Sequence, residues 1–213
     1  GKLCSQERIA RDACELEIEK LGEPIGKQDQ YGTAVGGLKF IRFKQDGTVE
    51  VEPLAVSRQT LEELEENLLL FYTGLTHSAG EILREQNKNV ASEEQKYRNL
   101  VQMTRLACEM RESVVSGDLD EFGKILNENW LLKRELASSI SNDRIGKYYD
   151  LAMSSGALGG KLLGAGGGGF LLFYCPKERQ KRLRSALSDL WELPFAMENS
   201  GTKIIYVGDK DWD

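Results

Sequence analysis

The chain has 213 residues, of which 40% are hydrophobic and 29% charged, and its formal net charge is −6. This acidic balance argues against non-specific nucleic-acid binding, which needs a basic surface, and no apolar run approaches the roughly 20 residues that span a bilayer. The cysteines are widely spaced and there is a single histidine. The sequence therefore predicts no cysteine or histidine metal site, and reduced thiols point to a cytoplasmic protein.

The first quarter of the chain predicts a helix, a loop and a hairpin. Residues 5–21 carry apolar side chains at helical spacing, with Ser5 as a candidate N-cap. The glycine-rich segment GEPIGKQDQYGTAVGG, residues 22–37, lacks periodicity and predicts a loop. Residues 38–54 alternate apolar and polar side chains on both sides of Asp46-Gly47, a pair that suits the tight turn of a hairpin.

The middle of the chain predicts one strand followed by a series of helices. TLEE at residues 60–63 resembles a capping box that opens an acidic helix. LLLFYTG at residues 68–74 predicts a buried strand, and helical patterns then dominate residues 77–155. They include a second capping box, SEEQ at residues 92–95, and a later helix that Asp118 can cap.

The last quarter of the chain returns to strands. ALGGKLLG at residues 157–164 and FLLFYC at 170–175 predict two strands joined by a glycine turn. Residues 177–193 predict a helix, and TKIIYVG at 202–208 predicts a last strand. Together with the strand in the middle of the chain, the order is strand, helices, strand, strand, helix, strand. This order predicts an α+β, ferredoxin-like split βαβ domain with a helical insertion in its first crossover.

The glycine cluster GAGGGG, residues 164–169, has two interpretations. Consecutive glycines cost backbone entropy on folding, so a specific use is expected. In the functional interpretation, the chain adopts positive φ values and its N–H groups form a concave anion site. In the structural interpretation, a neighbouring element packs too close for a Cβ atom. The sequence alone favours neither, and the spacing matches neither a Walker A loop nor a GxGxxG loop before a helix.

Asp29 and Glu17 are the candidate catalytic and metal-binding carboxylates. Asp29 lies in the glycine-bounded segment GKQDQ, where Lys27 could keep it ionised so that it accepts a proton from a substrate hydroxyl. The structural alternative is a turn residue that caps its own loop. Glu17 lies on the preceding helix and could hold Mg²⁺. Its alternative is a solvated helix face, and Glu15 and Glu19 are adjacent carboxylates that could take the same role.

Polar residues at the end of the predicted strand 68–74 form a further candidate site. Thr73 and Thr76 could line a substrate cleft, because loops at strand ends often do. The alternative is that Thr76 and Ser78 cap the next helix. Three aromatic residues lie on apolar stripes and predict core positions: Trp130, Trp191 and Tyr148.

Several of these segments together resemble the GHMP kinases, the family named for galactokinase, homoserine kinase, mevalonate kinase and phosphomevalonate kinase. KLLGAGGGGFLLFY, residues 161–174, resembles the family's C-terminal glycine-rich motif, and GKQDQY, residues 26–31, resembles the segment that carries the catalytic aspartate in galactokinase-like members. The spacing from Glu17 to Gly22 is similar to that after the family's Mg²⁺-binding glutamate. The combination of GEPIGKQDQY, YTGLTHSAGEIL and GALGGKLLGAGGGGF is most similar to kinases of D-glycero-D-manno-heptose 7-phosphate.

The resemblance covers essentially the whole chain and implies two domains. Residues 1–56 would be the end of the nucleotide-binding, ribosomal S5-like half, and residues 57–213 the GHMP kinase C-terminal domain. The family's glycine- and serine-rich ATP phosphate loop has no match here, and the chain opens at Gly1 almost directly into a helix. We therefore expect a truncated chain that is inactive alone, with either a missing N-terminal segment or self-association.

The resemblance also implies an ATP- and Mg²⁺-dependent site in one cleft shared by Asp29 and the glycine cluster. Asp29 would activate the acceptor hydroxyl with electrostatic support from Lys27, and Glu17 would hold Mg²⁺. The residues expected to flank the ATP phosphates are Gly164, Ala165, Gly166, Gly167, Gly168 and Gly169. The expected substrate-binding residues are Gln28, Gln30, Tyr31, Thr73, Thr76 and Lys161.

Three functions stay open at this point. The first, implied by the resemblance, is ATP-dependent phosphorylation of a sugar phosphate, namely D-glycero-D-manno-heptose 7-phosphate at its anomeric hydroxyl. The second is a fucose- or galactose-type sugar kinase on the same scaffold. The third is a non-catalytic fragment that binds a sugar phosphate, which the missing phosphate loop favours, whereas Asp29 and Glu17 favour a kinase. None of the three is expected to bind nucleic acid or a membrane.

Overall fold

A computed structural model describes residues 4–205, which form two compact units. The first unit comprises residues 4–53 and 197–205, and the second comprises Leu54–Ala196. The division after Pro53 lies close to the expected domain boundary at residue 56. Residues 197–205, which the prediction placed in the C-terminal domain, instead group with the first unit.

Two short helices pack together in the first unit. Helix α1 (Gln6–Cys14) begins at Ser5, whose hydroxyl caps the first turn as predicted, and continues into a π-helical turn, Glu15–Lys20. Helix α2 (Gln28–Ala34) packs against α1. The buried core between them is small and consists of Ala10, Cys14, Tyr31 and Ala34.

Helix α2 contradicts the prediction of a loop over residues 22–37. The helix has seven residues, and the exposed Gly32 at its centre removes any apolar periodicity. It forms because Tyr31 and Ala34 are buried against α1, a tertiary effect that outweighs weak local propensity. As a consequence, Asp29 lies in the first turn of a helix and not in a loop.

The predicted hairpin is confirmed. Strand β1 (Lys39–Phe43) pairs antiparallel with β2 (Val49–Pro53). Gly47 adopts a φ of 82°, and the Asp46 carboxylate accepts hydrogen bonds from both the N–H and the hydroxyl of Thr48. The Asp-Gly pair therefore closes the connection as these residue types predict.

The second unit begins with a helix that leads directly into a buried strand. Helix α3 (Arg58–Asn67) begins at Ser57, whose hydroxyl accepts a hydrogen bond from the N–H of Thr60. The predicted capping box at residues 60–63 is therefore wrong, because the cap lies three residues earlier. Strand β3 (Leu68–Tyr72) follows and confirms the predicted strand.

A run of helices follows β3 and confirms the helical stretch predicted for residues 77–155. Asp118 caps the third of them as predicted, by accepting a hydrogen bond from the N–H of Glu121. The capping box predicted at residues 92–95 is wrong, because the Ser92 hydroxyl donates to the carbonyl of Lys88 in its own helix. The elements are α4 (Ala79–Ser92), α5 (Glu94–Ser116), α6 (Leu119–Arg134), a 3₁₀ turn (Ser138–Ile140) and α7 (Asp143–Ser154).

The remaining strands complete an antiparallel sheet with the order β4-β5-β3-β6. They are β4 (Gly159–Leu162), β5 (Phe170–Tyr174) and the short β6 (Trp191–Glu192). A 3₁₀ turn (Lys177–Arg179) and helix α8 (Gln180–Ala186) connect β5 to β6. This order, with helices inserted between β3 and β4, confirms the predicted α+β split βαβ fold.

One face of this sheet forms the core of the second unit. Alternate residues of β3 and β5 are buried because successive side chains of a strand point to opposite faces. On this face the buried residues of β3 and β5 are Leu69, Phe71, Leu171 and Phe173, whereas Tyr174 at the end of β5 is buried on the other face. Trp130 is fully buried, as predicted, and its ring centroid lies 5.9 Å from that of Tyr149. Tyr148 is partly buried against the same core.

The C-terminal part of the second unit departs from the prediction. The predicted helix over residues 177–193 ends at Ala186, and its last residues form β6. The helix ends early because Leu187 and Leu190 are both buried in the core, and the turn between them returns the chain to the sheet. Trp191 is 66% exposed on this edge strand, so its predicted core position is wrong.

The strand predicted at residues 202–208 is not found in the described part of the chain. Residues 202–205 have no regular secondary structure, and residues 206–208 lie outside the described residues. Within residues 4–205, no helix has both the length and the apolar composition to cross a membrane. The cysteines in that range are free thiols: Cys4, Cys14, Cys108 and Cys175.

Candidate active site

A hydrogen bond joins the two segments that carry the candidate carboxylates of the first unit. Glu17 lies in the π-helical turn, a feature that often marks functional sites. The side-chain amide of Gln30 in α2 donates to the Glu17 carboxylate. Gln30 is buried, and its Oε1 has no hydrogen-bond partner in the described part of the chain. The amide of Gln30 therefore orients the Glu17 carboxylate, as hydrogen-bonding neighbours of metal ligands do.

Glu17 is distinguished from its neighbouring carboxylates by burial. Glu17 is half-buried, whereas Glu15 and Glu19 are exposed. Glu15 forms an ion pair with Lys20 at 3.0 Å, which occupies it on the solvated face of the turn. The fold therefore separates Glu17 from the alternatives that the sequence could not distinguish.

The chemistry of these groups fits a magnesium ion that takes most of its ligands from elsewhere. Mg²⁺ prefers oxygen ligands and is usually held by one or two carboxylates together with phosphate oxygens and water. Glu17 supplies one such carboxylate, and Gln30 holds it by a hydrogen bond. Among residues 4–205, no cluster of three or more histidine, cysteine, aspartate or glutamate side chains could hold a metal on its own.

Asp29 is exposed in the first turn of α2, directly before Gln30. Within the described residues, no hydrogen bond or ion pair engages its carboxylate, so the loop-capping alternative has no support. An exposed carboxylate on a short helix, next to a residue that contacts Glu17, is accessible to a substrate hydroxyl.

Lys27 contacts the hairpin and not Asp29. Its ammonium donates a hydrogen bond to the carbonyl of Gly47 at 3.0 Å. No ion pair between Lys27 and Asp29 occurs in the part of the chain that the structure describes. Lys27 therefore does not support the Asp29 carboxylate by direct contact. Burial raises the pKa of the nearby Cys14 thiol, while the positive charge of Lys27 opposes that shift and Glu17 adds to it.

Lys27 also lines a cleft of about 400 Å³ within the first unit. The residues that line it come from the start of α2 and from the hairpin: Gly26, Lys27, Gln28, Phe43, Lys44, Gly47, Thr48 and Val49. Gln28 is therefore placed where a ligand could reach it. Tyr31 is buried and its ring packs edge-on against Phe43 at 6.2 Å, which places it in the core of the first unit; its expected role in substrate binding stays a prediction.

The glycine turn of the second unit is closely packed at three positions, Gly166, Gly167 and Gly168. A Cβ atom on Gly166 would lie 2.7 Å from the Cα of Ile140, and one on Gly167 would lie 2.8 Å from the Ile82 side chain. A Cβ atom on Gly168 would collide with the carbonyl of Leu75. Gly166 and Gly167 also adopt positive φ values. Neighbouring elements therefore pack too close to these glycines for a Cβ atom, as the structural interpretation expects.

The same turn leaves several backbone N–H groups without an internal acceptor. Gly167 donates to the carbonyl of Ile140 at 2.9 Å, and Gly169 donates to that of Leu75 at 2.8 Å. Within residues 4–205, no backbone carbonyl accepts from the N–H groups of Ala165, Gly166 and Gly168. Close packing and anion binding are therefore compatible, because the turn is held by two of its N–H groups and can present others to a ligand.

Lys161 lies in β4, three residues before Gly164, the first residue of the glycine turn. It is half-buried, and burial lowers the pKa of its ammonium group without an opposing carboxylate in the described part of the chain. A partly buried cation without a counter-charge is stabilised by an anionic ligand.

The two candidate threonines after strand β3 differ in their surroundings. Thr76 is exposed, whereas Thr73 is buried and its hydroxyl donates to the carbonyl of Gly169, so Thr73 anchors the turn.

Two residues that position the turn escaped the sequence analysis. The ammonium of Lys133 donates to the carbonyl of Gly164 at 2.6 Å. The carboxylate of Glu85 accepts hydrogen bonds from the N–H and hydroxyl of Ser138 at 2.8 Å, and from the hydroxyl of Ser139. These bonds hold the 3₁₀ turn whose Ile140 carbonyl receives the N–H of Gly167. No local sequence signal marks either residue.

The Glu85 contacts predict a dependence of stability on pH. The hydrogen bonds from Ser139 and Ser138 lower the pKa of Glu85 below its usual value. Its contribution is therefore fully present above the unfolded-state pKa, about 4.3, and is lost as the pH falls through the lower folded-state pKa. We expect Glu85→Gln to be less stable than the wild type by a constant amount from pH 6 to 8, with the difference shrinking below about pH 4.

Urea unfolding at a series of pH values measures this difference. Glu81→Gln is the matched control, because Glu81 is an exposed carboxylate one turn earlier on α4. Its difference from the wild type should stay small and flat. A Glu85→Gln difference that did not change with pH would show that the charge of Glu85 does not matter.

Asp29 lies in the first unit and the glycine turn in the second. The cleft that the sequence analysis expects them to share stays a prediction.

Comparison with known proteins identifies the second unit. Residues 110–193 match the family described as GHMP kinases C terminal. The chain contains a GHMP kinase C-terminal domain. The chain is 33% identical over 204 residues to the D-glycero-alpha-D-manno-heptose 7-phosphate kinase of Campylobacter jejuni. The matched region covers 96% of this chain and 58% of that protein.

Two further relatives show how widely the GHMP kinase likeness extends. The bifunctional fucokinase/GDP-fucose pyrophosphorylase of Arabidopsis thaliana is 33% identical over 199 residues, covering 92% of this chain and 19% of that protein. The crystal structure of a D-glycero-D-manno-heptose 1-phosphate kinase from Bacteroides thetaiotaomicron superposes with a TM-score of 0.69 at 27% identity, covering 96% of this chain and 57% of that one. The chain thus spans less than two thirds of the length of these relatives.

Proposed function

We propose that this chain is part of an ATP-dependent kinase that phosphorylates D-glycero-D-manno-heptose 7-phosphate at its anomeric hydroxyl. The observation that carries the proposal is the hydrogen bond from Gln30 to Glu17. It links a carboxylate suited to Mg²⁺ with the helical turn that carries the exposed Asp29. The glycine turn and Lys161 supply the second element, a set of N–H groups and a cation suited to an anion.

The names of the relatives support a heptose phosphate as the acceptor. The Campylobacter relative is named for heptose 7-phosphate, and the Bacteroides structure is described as a heptose 1-phosphate kinase. Both names specify a heptose that carries phosphate. An acidic chain that binds a doubly charged sugar needs local cations, and Lys161 and Lys27 are placed in their units to provide them.

In the proposed mechanism, bound Mg-ATP would supply the γ-phosphoryl group, which passes to the acceptor while ADP leaves, and the Mg²⁺ ion would neutralise the charge that develops during the transfer. Asp29 accepts the proton of the anomeric hydroxyl, so that its oxygen attacks as the proton leaves. Glu17 would hold the metal ion, and Gln30 would orient the Glu17 carboxylate through its hydrogen bond. The free N–H groups of Ala165, Gly166 and Gly168 donate to phosphate oxygens and orient them.

A fucose kinase is the second candidate, because the Arabidopsis relative has the same 33% identity over nearly the same length. The two candidates differ in the charge of the acceptor. A free hexose has no phosphate for Lys161 or Lys27 to bind, whereas a sugar phosphate does. Sensitivity to the acceptor's phosphate therefore separates them.

ADP release by the enzyme that contains this chain tests the proposal. The acceptors are D-glycero-D-manno-heptose 7-phosphate, the same heptose without phosphate, fucose, galactose and mevalonate. Turnover with heptose 7-phosphate at least tenfold faster than with the others supports the proposal. Preference for fucose or galactose would establish the second candidate. Binding of heptose 7-phosphate without any ADP release would establish a non-catalytic protein.

The Glu17→Gln variant tests the metal site within this mechanism. Loss of one carboxylate ligand should raise the Mg²⁺ concentration for half-maximal activity by about tenfold or more, since each 1.4 kcal/mol of binding energy is a factor of ten. Glu15→Gln is the control, because Glu15 is exposed and paired with Lys20. Equal Mg²⁺ dependence in the two variants would show that Glu17 does not bind the metal.

A further inference from the structure

Helix α5 carries a stripe of exposed side chains that nothing in the proposed function uses. Tyr97 is 57% exposed, Val101 37% and Val115 46%, and Thr104 and Cys108 are also exposed. With Arg111 the stripe has the spacing 4-3-4-3-4 over this 23-residue helix. That spacing is the heptad pattern of a coiled-coil seam.

The opposite face of α5 fixes the direction in which the stripe points. Asn99, Leu106 and Ser113 recur every seven residues and are all buried. They lie on the side of the helix away from the stripe, against the rest of the second unit. Packing inside the unit therefore leaves the stripe facing outward. Its three large apolar residues lie on one face of the helix and are not scattered singly over the surface.

We propose that this stripe joins two copies of the chain as an antiparallel pair of α5 helices. Under a two-fold axis at the level of residue 106, Tyr97 packs against the partner's Val115, Val101 against the partner's Arg111 and Thr104 against the partner's Cys108. Every layer is then occupied on both sides, so the surface is self-complementary. An isologous two-fold interface requires that property.

Charge selects the antiparallel direction. Parallel packing in register would place Arg111 directly against its own copy in the centre of the seam. The antiparallel arrangement instead lays the aliphatic part of Arg111 over Val101, with the guanidinium at the edge. It also brings Arg98, which forms an ion pair with Glu94 of its own chain, opposite the partner's Glu112, which forms one with Arg111, so opposite charges adjoin on both sides of the axis. These two contacts outweigh the meeting of Arg105 with its own copy near the axis, since Arg105 is exposed and can turn to solvent.

The size of the seam sets the expected strength. From Tyr97 to Val115 the helix extends about 27 Å at about 1.5 Å per residue. One helix from each copy lies at the small end of specific interfaces, below about 1,200 Å² of buried surface. We therefore expect a reversible dimer with a micromolar dissociation constant.

Disulfide trapping of the 213-residue chain tests the register directly. All variants carry Cys4→Ser, which removes the other exposed thiol. Adding Thr104→Cys should give a dimer on mild oxidation, with the new thiol joined to Cys108 of the other copy by peptide mapping. Cys4→Ser alone should give at most a tenth as much, because the Cys108 positions of the two copies are offset by four residues. Efficient trapping through Cys108 alone, or no trapping in either variant, would overturn the proposal.

Sedimentation velocity from 1 to 100 µM gives an independent readout. Val101→Glu should weaken the dimer at least tenfold, because it places a charge in the seam of both copies. Leu131→Glu is the matched control, since Leu131 is 38% exposed but lies on α6, outside the stripe. A monomer at all concentrations, or equal loss of association in both variants, would overturn the proposal.

Discussion

Replacement of Asp29 by asparagine is expected to lower kcat by about 10²- to 10⁴-fold in the enzyme that contains this chain, because positioned acid–base groups contribute factors of that size. The amide keeps the shape of the side chain but cannot accept the proton of the acceptor hydroxyl. Asp29 is exposed, and its carboxylate forms no hydrogen bond or ion pair within the described residues. The unfolding temperature and the affinity for ATP should therefore change little.

Asp120→Asn is the matched control for this experiment. Asp120 is also an exposed aspartate in the first turn of a helix, α6, but lies in the other unit. Its kcat should stay within twofold of the wild type. Normal turnover in Asp29→Asn would remove the catalytic role of this carboxylate. An equal loss of stability in both variants would point to a structural effect.

Replacement of Gly166 by alanine is expected to destabilise the chain by about 2–6 kcal/mol. A positive φ of 127° is unfavourable for alanine, by about 1–3 kcal/mol. The added methyl group would also lie 2.7 Å from the Cα of Ile140, and overpacking of this kind costs about 1–3 kcal/mol. The backbone of Ile140 can yield little, because its 3₁₀ turn is held by Glu85.

Gly164→Ala separates the two contributions. Gly164 also has a positive φ, 73°, but a Cβ atom there would meet no atom of the described chain within 4 Å. Its cost should be about 1–2 kcal/mol, the backbone term alone. Urea unfolding of the two variants measures the difference. Equal destabilisation would mean that the turn is not packed against Ile140, and that the glycines serve backbone conformation only.

Features with a local signal could be predicted from the sequence. The apolar run of β3, the turn at Asp46-Gly47 and the caps at Ser5 and Asp118 each depend on neighbouring residues, and each is present. The glycine cluster was recognised as special because four consecutive glycines are costly on folding. The order of strands and helices was enough to give the fold of the second unit.

Features that depend on distant contacts could not be predicted. Helix α2 forms because Tyr31 and Ala34 are buried against α1, and a seven-residue helix has no period to detect. Glu85 contacts Ser138 across 53 residues, and Lys133 contacts Gly164 across 31. The choice of Glu17 over Glu15 and Glu19 follows from burial alone.

Phosphorus NMR of the reaction product tests the proposed chemistry most directly. The enzyme that contains this chain is incubated with Mg-ATP and D-glycero-D-manno-heptose 7-phosphate. The expected product carries two phosphorus signals, the original 7-phosphate and a new one coupled to the anomeric proton. A new phosphate on any other carbon, or the release of inorganic phosphate with the sugar unchanged, would contradict transfer to the anomeric oxygen.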